Sequence, residues 1–178
     1  MIKMRVISGK YKGRNIEGFK LEGTRPTMDR VKESLFAIIQ SKIPNSNILD
    51  LFAGSGNLGI EALSNGAKSA TFVDLNKKCT QTINSNIKNL KIDEKVDIYN
   101  GDFRKFLKTT NQKYDIIFLD PPYHINILNE AIKLIEEKEI LNEQGLLICE
   151  YDKENPISSL ELLTEKKYGD KYIKIYKK

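Results

Sequence analysis

The chain has 178 residues, of which 40% are hydrophobic and 30% charged, with a net charge of +5. That size and mixture suit one globular domain whose core needs no disulfide or metal staple. Two cysteines with no C-x-x-C, Cys79 and Cys149, exclude a disulfide framework, and a single histidine, His124, leaves a structural zinc without ligands.

In chain order, Arg5–Ser8, a glycine-containing turn and Gly13–Ile16 predict a β-hairpin. A helix follows, capped by Thr24 or Thr27 with Pro26 near its start, and Val31, Leu35, Ile38 and Ile39 recur along one face. After Pro44 the texture changes. N-I-L-D-L-F-A is an apolar strand, followed by a glycine-rich turn and a helix near Asn57–Asn65. A-T-F-V-D is a second strand, and the helix after it presents Cys79, Ile83, Ile87 and Leu90. V-D-I-Y-N and Y-D-I-I-F-L-D are the third and fourth strands. Leu128, Ala131, Ile132 and Ile135 mark a helix, and G-L-L-I-C-E is a fifth strand. Two β-like runs surround the turn Y-G-D, with Ile173 and Ile175 on one face and Tyr172, Lys174 and Tyr176 on the other. Strands alternating with helices predict an α/β fold, a mostly parallel sheet covered on both faces. The boundary around 40–46 separates a basic extension, residues 1–43, from an α/β body, 44–178. Both cysteines fall in apolar-patterned elements and are expected as buried free thiols in a reducing cytosol. No apolar run approaches a membrane span and no signal-like segment opens the chain, so a cytoplasmic protein with no membrane partner is expected.

The charge is unevenly placed. Residues 1–32 carry nine basic side chains (Lys3, Arg5, Lys10, Lys12, Arg14, Lys20, Arg25, Arg30 and Lys32) against three acids, Glu17, Glu22 and Asp29. The remainder is nearly balanced, with 20 basic and 21 acidic side chains. A block this lopsided favours contact with a polyanion over a merely solvated face. Lys3, Arg5, Lys10, Lys12 and Arg14 on the hairpin are expected to bind phosphates, which position a nucleic acid without reading it. Arg25, Thr27 and Arg30 are candidates for a lid or an RNA contact, with a solvated helix face as the competing reading of Arg30.

L-D-L-F-A-G-S-G-N-L-G contains G-x-G-x-x-G at Gly54, Gly56 and Gly59, after a strand and opening a helix. No Lys-Ser/Thr follows, which excludes a P-loop. Asp74 ends the second strand, where its carboxylate can accept both hydroxyls of a ribose. Two ligands fit this apparatus: a dinucleotide, whose pyrophosphate sits at the helix N-terminus, or S-adenosylmethionine, which carries a sulfonium and an amino group. Asp50, inside the first strand, suits the cationic ligand and repels a pyrophosphate. Asp102, in N-G-D-F, could accept from an adenine amine with Phe103 beside the ring. Each of these acids could instead be a helix N-cap; together with the glycine loop they favour the cofactor.

The run I-I-F-L-D-P-P-Y ends a strand in Asp120, Pro121, Pro122 and Tyr123. Proline cannot continue a central strand, which accounts for the two rings and not for the acid and tyrosine beside them.

The series L-D-L-F-A-G-S-G-N-L-G-I-E-A-L, F-V-D, G-D-F and D-P-P-Y resembles the motifs of class I S-adenosylmethionine-dependent methyltransferases, and D-P-P-Y resembles the signature of the branch that methylates exocyclic amines of bases. R-V-I-S-G-K-Y-K-G-R and R-P-T-M-D-R-V-K-E-S-L-F are similar to the opening of the bacterial 16S rRNA guanine-N2 methyltransferase family, the RsmD type. The resemblance spans roughly residues 4–150; Asn57 departs from it, where relatives often have a small residue. It implies a Rossmann-like fold with a seven-stranded sheet and a small N-terminal hairpin and helix. It implies S-adenosylmethionine held by Asp50, Phe52, Ala53, Gly54, Gly56, Asp74, Leu75, Asp102 and Phe103, with no metal. Asp120 and the Pro121 carbonyl would hold the target amine, rigidified by Pro122, and Tyr123 would stack on the base. The expected substrate is 16S rRNA within the small ribosomal subunit, and the expected state a monomer. An adenine-N6 methyltransferase is the main alternative. A non-catalytic RNA-binding module is disfavoured by the intact Asp120 and Tyr123, and a dinucleotide oxidoreductase by Asp50.

Overall fold

The computed structural model describes residues 1–19, 25–122 and 126–178, with residues 25–28 described in backbone only. Its frame is a seven-stranded sheet. Strands β3 (Asn47–Asp50), β4 (Ser69–Asp74), β5 (Lys95–Asn100), β6 (Tyr114–Leu119) and β7 (Leu141–Tyr151) run parallel; beyond β7, β9 (Lys171–Lys177) pairs antiparallel with it and β8 (Glu161–Tyr168) antiparallel with β9 at the edge. The order is β5-β4-β3-β6-β7-β9-β8. The chain therefore moves outward one way from β3 through β4 and β5, then returns to the other side of β3 at β6. Ligands of such sheets bind outside the carboxyl ends of the strands at this switch point.

The continuous apolar strands are apolar because both faces are covered. Ile48, Ile116, Phe118, Leu146 and Ile148 point into one buried cluster, and Leu49, Ile117, Leu119, Leu147 and Cys149 into the other. The first cluster is closed by α1 (Arg25–Ile39), α2 (Asn57–Ser64) and α3 (Lys77–Leu90), through residues such as Leu35, Ile60 and Ile83. The second is closed by α4 (Phe103–Thr109) and α5 (Leu128–Lys138), through Phe106, Leu107 and Ile132. The tail divides as its alternation predicts: Ile173 and Ile175 join the first cluster, Tyr172 and Tyr176 the second.

The N-terminal hairpin differs in register from its expected form. β1 is Ile2–Arg5 and β2 is Asn15–Gly18, with Ile2 opposite Gly18. The longer loop between them docks on the end of α2. The Lys10 backbone N–H donates to the Ser64 carbonyl at 2.7 Å, and that of Tyr11 to Ser64 Oγ at 2.9 Å. These backbone groups would otherwise continue a two-stranded ladder; docking satisfies them against the body instead. Val6, Tyr11 and Ile16 enter the same cluster as Ile48 and Phe118, so the basic extension and the α/β body share one core. Helix α1 starts at Arg25 with Pro26 in its first turn, where the missing proline N–H costs nothing. Thr24 and Lys20 lie outside the described residues.

The cysteines divide. Cys149 is buried, whereas Cys79 is only half-buried because it lies on the side of α3 that turns towards Asp74. Burial and Asp74 push the Cys79 thiol up to about 11, so it stays protonated and unreactive at neutral pH. No helix among the described residues is long and apolar enough to cross a membrane.

Candidate active site

The site is assembled at the carboxyl ends of β3, β4 and β6. After β3 the chain turns through Leu51–Ser55 into α2. Gly54 and Gly56 both have positive φ, at 56° and 83°, a region that glycine enters without strain. Gly59 has a different reason to be glycine: a Cβ there would meet the Phe72 ring at 2.3 Å, so it lets α2 lie close on β4. The turn is pinned from two sides. Asp74 accepts from the Gly54 N–H at 2.8 Å with one oxygen and from the Asn76 N–H at 2.8 Å with the other. Asp50, 2% exposed, accepts from the Gly59 N–H at 3.0 Å.

Asp50 carries the electrostatic signature of the site. Burial is the main cause that lifts its carboxyl from 3.8 to about 7; the Gly59 N–H opposes the rise, and the nearby Asp74 adds to it. Among the described residues no cation pairs with this buried acid, which makes it a prepared place for one. Asp120 lies one residue beyond β6, on the strand that pairs with β3 so that Asp50 stands opposite Phe118. Burial first, then the Glu150 carboxylate, holds its carboxyl well above the usual range; Lys171 opposes them and Asp50 adds a smaller push. Pro121 is buried and Pro122 exposed, so the double proline carries the chain from the core out to the rim. Tyr123 and its proposed stacking role, with His124, lie outside the described residues.

The expected cofactor wall is uneven. Leu75 is 71% exposed beside Asp74, so its side chain is accessible to a ligand laid along the rim. A Cβ built on Gly54 would meet nothing within 4 Å among the described residues, which leaves space over the turn. Ala53 is buried, and its N–H donates to the Val73 carbonyl at 3.0 Å. Phe52 packs on Phe103 with ring centroids 5.1 Å apart. Phe103 is 6% exposed, and the Arg104 guanidinium lies 4.6 Å from its ring. Its surface is thus largely taken, and its contribution is to hold Phe52 in place. Asp102 does cap a helix: it accepts from the Arg104 N–H at 2.7 Å and pairs with that guanidinium at 3.1 Å, leaving carboxylate lone pairs at the rim.

The basic block behaves differently from a phosphate-binding comb. Lys10 pairs with Asp93 at 2.6 Å and Glu94 at 3.3 Å. Arg14 donates to the carbonyls of Leu90 and Asn89, at the end of α3, at 2.8 and 2.9 Å. Arg5 pairs with Asp29 at 3.2 Å. Lys10 and Arg14 thus fasten the extension to the body, and Arg5 ties the hairpin to α1. Lys12 and Arg30 are exposed, Lys3 lies on the exposed side of β1, and the side chains of Arg25 and Thr27 fall outside the described set.

Sequence reasoning missed the polar centre beneath the site. Lys32, counted above in the basic block, is 3% exposed and bridges Glu61, 1% exposed, at 2.9 Å. Glu61 also accepts from the backbone N–H groups of Ile7 and Ser8, and Lys32 donates to Asn57 Oδ1 at 2.7 Å and to the Arg5 carbonyl. Asn57, the departure noted in the glycine loop, is therefore the link between α1 and that loop. Asn86 performs a similar service, exchanging hydrogen bonds with the Glu17 backbone and donating to the Ser55 carbonyl. No group of three or more acids, cysteines or histidines able to hold a metal occurs among the described residues.

This sheet order, with a glycine turn after β3 and acids at the ends of successive strands, is the class I methyltransferase fold, and S-adenosylmethionine is the cofactor of that class. Among the described residues, the space over Gly54, the exposed Leu75 and the buried Asp50 carboxyl fit its ribose, adenine and cationic end. Residues 4–177 match the family described as Conserved hypothetical protein 95. Ribosomal RNA small subunit methyltransferase D of Haemophilus influenzae is 39% identical, over 98% of this chain and 93% of that protein. The protein of the same name from Escherichia coli is 33% identical, over 99% and 90%. The solved structure of yhhF from Escherichia coli superposes with a TM-score of 0.88 at 33% identity, covering 99% of this chain and 98% of that one. The chain belongs to the Conserved hypothetical protein 95 family, the RsmD-type methyltransferases.

Proposed function

We propose that the protein transfers a methyl group from S-adenosylmethionine to the exocyclic N2 amine of one guanine in 16S ribosomal RNA, on the small subunit or an assembly intermediate. The observation that carries this reading is the placement of Asp120 and the Pro121–Pro122 step at the switch point, one strand from Asp50. The names of the full-length relatives support small-subunit ribosomal RNA as the substrate.

The residues divide the work. Asp74 would accept the ribose hydroxyls, Leu75 and Phe52 would flank the adenine, and Asp102 would accept from its amine. Asp50 would face the cationic end. The cofactor supplies an electrophilic methyl group on a sulfonium. The guanine amine is a poor nucleophile because its lone pair is delocalised into the ring. Asp120 and the Pro121 carbonyl each accept an N–H bond from that amine, which turns the lone pair towards the methyl group. Fixed geometry of this kind can supply about 7–11 kcal/mol of the barrier lowering. As the N–C bond forms, the nitrogen must lose a proton. Asp120, kept above the ordinary carboxylate range by burial and Glu150, is a stronger base than a surface aspartate and is placed to take it. Tyr123 would stack on the base once it has left its helix or loop. Lys12, Arg25, Thr27 and Arg30 are candidates for positioning phosphates, and the chain would act as a monomer.

Asp120→Ala tests the assignment. Methyl transfer into unmodified small subunits should fall below detection while S-adenosylmethionine still binds with nearly its original affinity. Loss of cofactor binding would show that Asp120 belongs to the cofactor site.

A further inference from the structure

The sheet edge beside Asp120 carries a second charged pair that the amine clamp does not use. In β6 and β7 the paired residues Phe118 and Ile148 point into one cluster, and Leu119 and Cys149 into the other. One step further, Asp120 and Glu150 come level and share the face of Phe118 and Ile148, because side chains alternate along a strand. On β9, Ile173 stands opposite Glu150 and points to the same face, as Lys171, two residues earlier, then must. The Lys171 ammonium donates to the Glu150 carboxylate at 3.0 Å, with the two side chains 18% and 15% exposed. Successive strands lie about 4.8 Å apart. Acid, acid and ammonium thus follow one another along one rim of the site, and Asp120 feels both neighbours.

That order matches one nucleobase edge. From the N2 amine, guanine presents donor (N2–H), donor (N1–H), acceptor (O6). Adenine presents its amine beside an N1 acceptor, with only C–H beyond. We infer that Glu150 and Lys171 read the guanine edge next to the reacting amine, Glu150 accepting N1–H and Lys171 donating to O6 while Asp120 accepts N2–H. This rests on the proposed N2 target. The pair does not oppose the fit: a carboxylate offers about four lone-pair sites and an ammonium three donors, so their ion pair does not by itself use either group up. Half-buried charges held by their own ion pair are pre-set in direction, and a site built to hydrogen-bond a base rejects an analogue that leaves those groups unpaired. Both are specificity-determining residues; neither moves the methyl group.

The test uses the full-length protein and small subunits reconstituted with 16S rRNA joined from synthetic segments. The position that the wild type methylates carries guanine or 2,6-diaminopurine. Diaminopurine keeps the N2 amine but replaces N1–H with a lone pair and O6 with an amine. Wild-type single-turnover transfer should favour guanine by at least about 10-fold, the discrimination expected of one well-placed edge contact. Glu150→Gln can still accept from Lys171, and its amide can donate to the diaminopurine N1, so the guanine preference should shrink several-fold, keeping only the part owed to Lys171 and O6, with S-adenosylmethionine affinity unchanged. A wild type that methylates both bases equally overturns the inference whatever the variant does. So does a variant slowed equally on both, since a merely structural pair would leave the ratio intact. If the wild type methylates no guanine N2 at all, the proposed function itself falls, and that result is separate from either ratio.

Discussion

Replacing Asp50 with asparagine should make the protein more stable and less able to bind its cofactor. The carboxyl is raised from 3.8 to about 7, chiefly by burial. A carboxyl raised on folding costs nothing below its unfolded value; the cost grows as pH rises and is complete above the folded value. A separation of about three pH units is worth about 4 kcal/mol above pH 7, an upper figure because the buried acid relaxes. Asparagine keeps an oxygen for the Gly59 N–H and has no charge to bury. Denaturant melts of the free protein should therefore show wild type and Asp50→Asn within about 1 kcal/mol of each other at pH 4, with the variant ahead by about 2–4 kcal/mol at pH 8. Calorimetry should show the opposite order for S-adenosylmethionine, with the variant weaker by about 10-fold or more, since a charge-assisted contact is worth about 1.5–3 kcal/mol. Wild-type affinity should rise with pH up to about 7 and then level, because a cation binds the ionised form; the variant should lose that rise. A pH-independent stability difference would refute the reasoning, for it would mean that Asp50 is already neutralised by a partner in the free protein.

Other expectations follow from the same geometry. Lys32→Met should destabilise by about 3 kcal/mol by stranding the buried Glu61 charge, and adding Glu61→Gln should recover most of the loss in urea melts; two losses that simply add would contradict a coupled pair. The transfer rate should fall on the acid side at a pH above the ordinary aspartate range, since protonation removes Asp120 as a proton acceptor. A single-turnover profile flat down to pH 4.5 would remove that role. Neutralising Lys12 should lower the salt slope of RNA binding by about one, whereas neutralising Lys10 should not; equal slopes for the Lys12 variant and wild type would return the hairpin to a solvated surface.

The parts legible in sequence are those whose signal is local. The helix at Asn57–Ser64 and the turn before it could be read because glycine spacing and apolar runs act within a dozen residues. The two faces of the last strand followed from simple alternation of Ile173, Ile175 and the tyrosines between them. The polar wiring was not legible. Nothing near Lys32 announces that its ammonium is buried against Glu61, because lysine and glutamate in a helix pattern ordinarily read as solvated charge. Lys10 and Arg14 read as phosphate binders for the same reason; their partners, Asp93 and the end of α3, are distant in sequence. The hairpin slipped because four-residue strands carry too little alternation to set a register. Asp120 was legible by its motif and its neighbours Glu150 and Lys171 were not, since only the pairing of β6, β7 and β9 brings them to one rim.

The central claim, a methyl group on guanine N2 in small-subunit rRNA, is tested most directly by the identity of the product. The protein would be incubated with radiolabelled S-adenosylmethionine and, separately, unmodified small subunits, naked 16S rRNA and DNA, each then digested to nucleosides. The account predicts label in N2-methylguanosine from 16S rRNA and none from DNA. Label in N6-methyladenosine, or label confined to DNA, would contradict it.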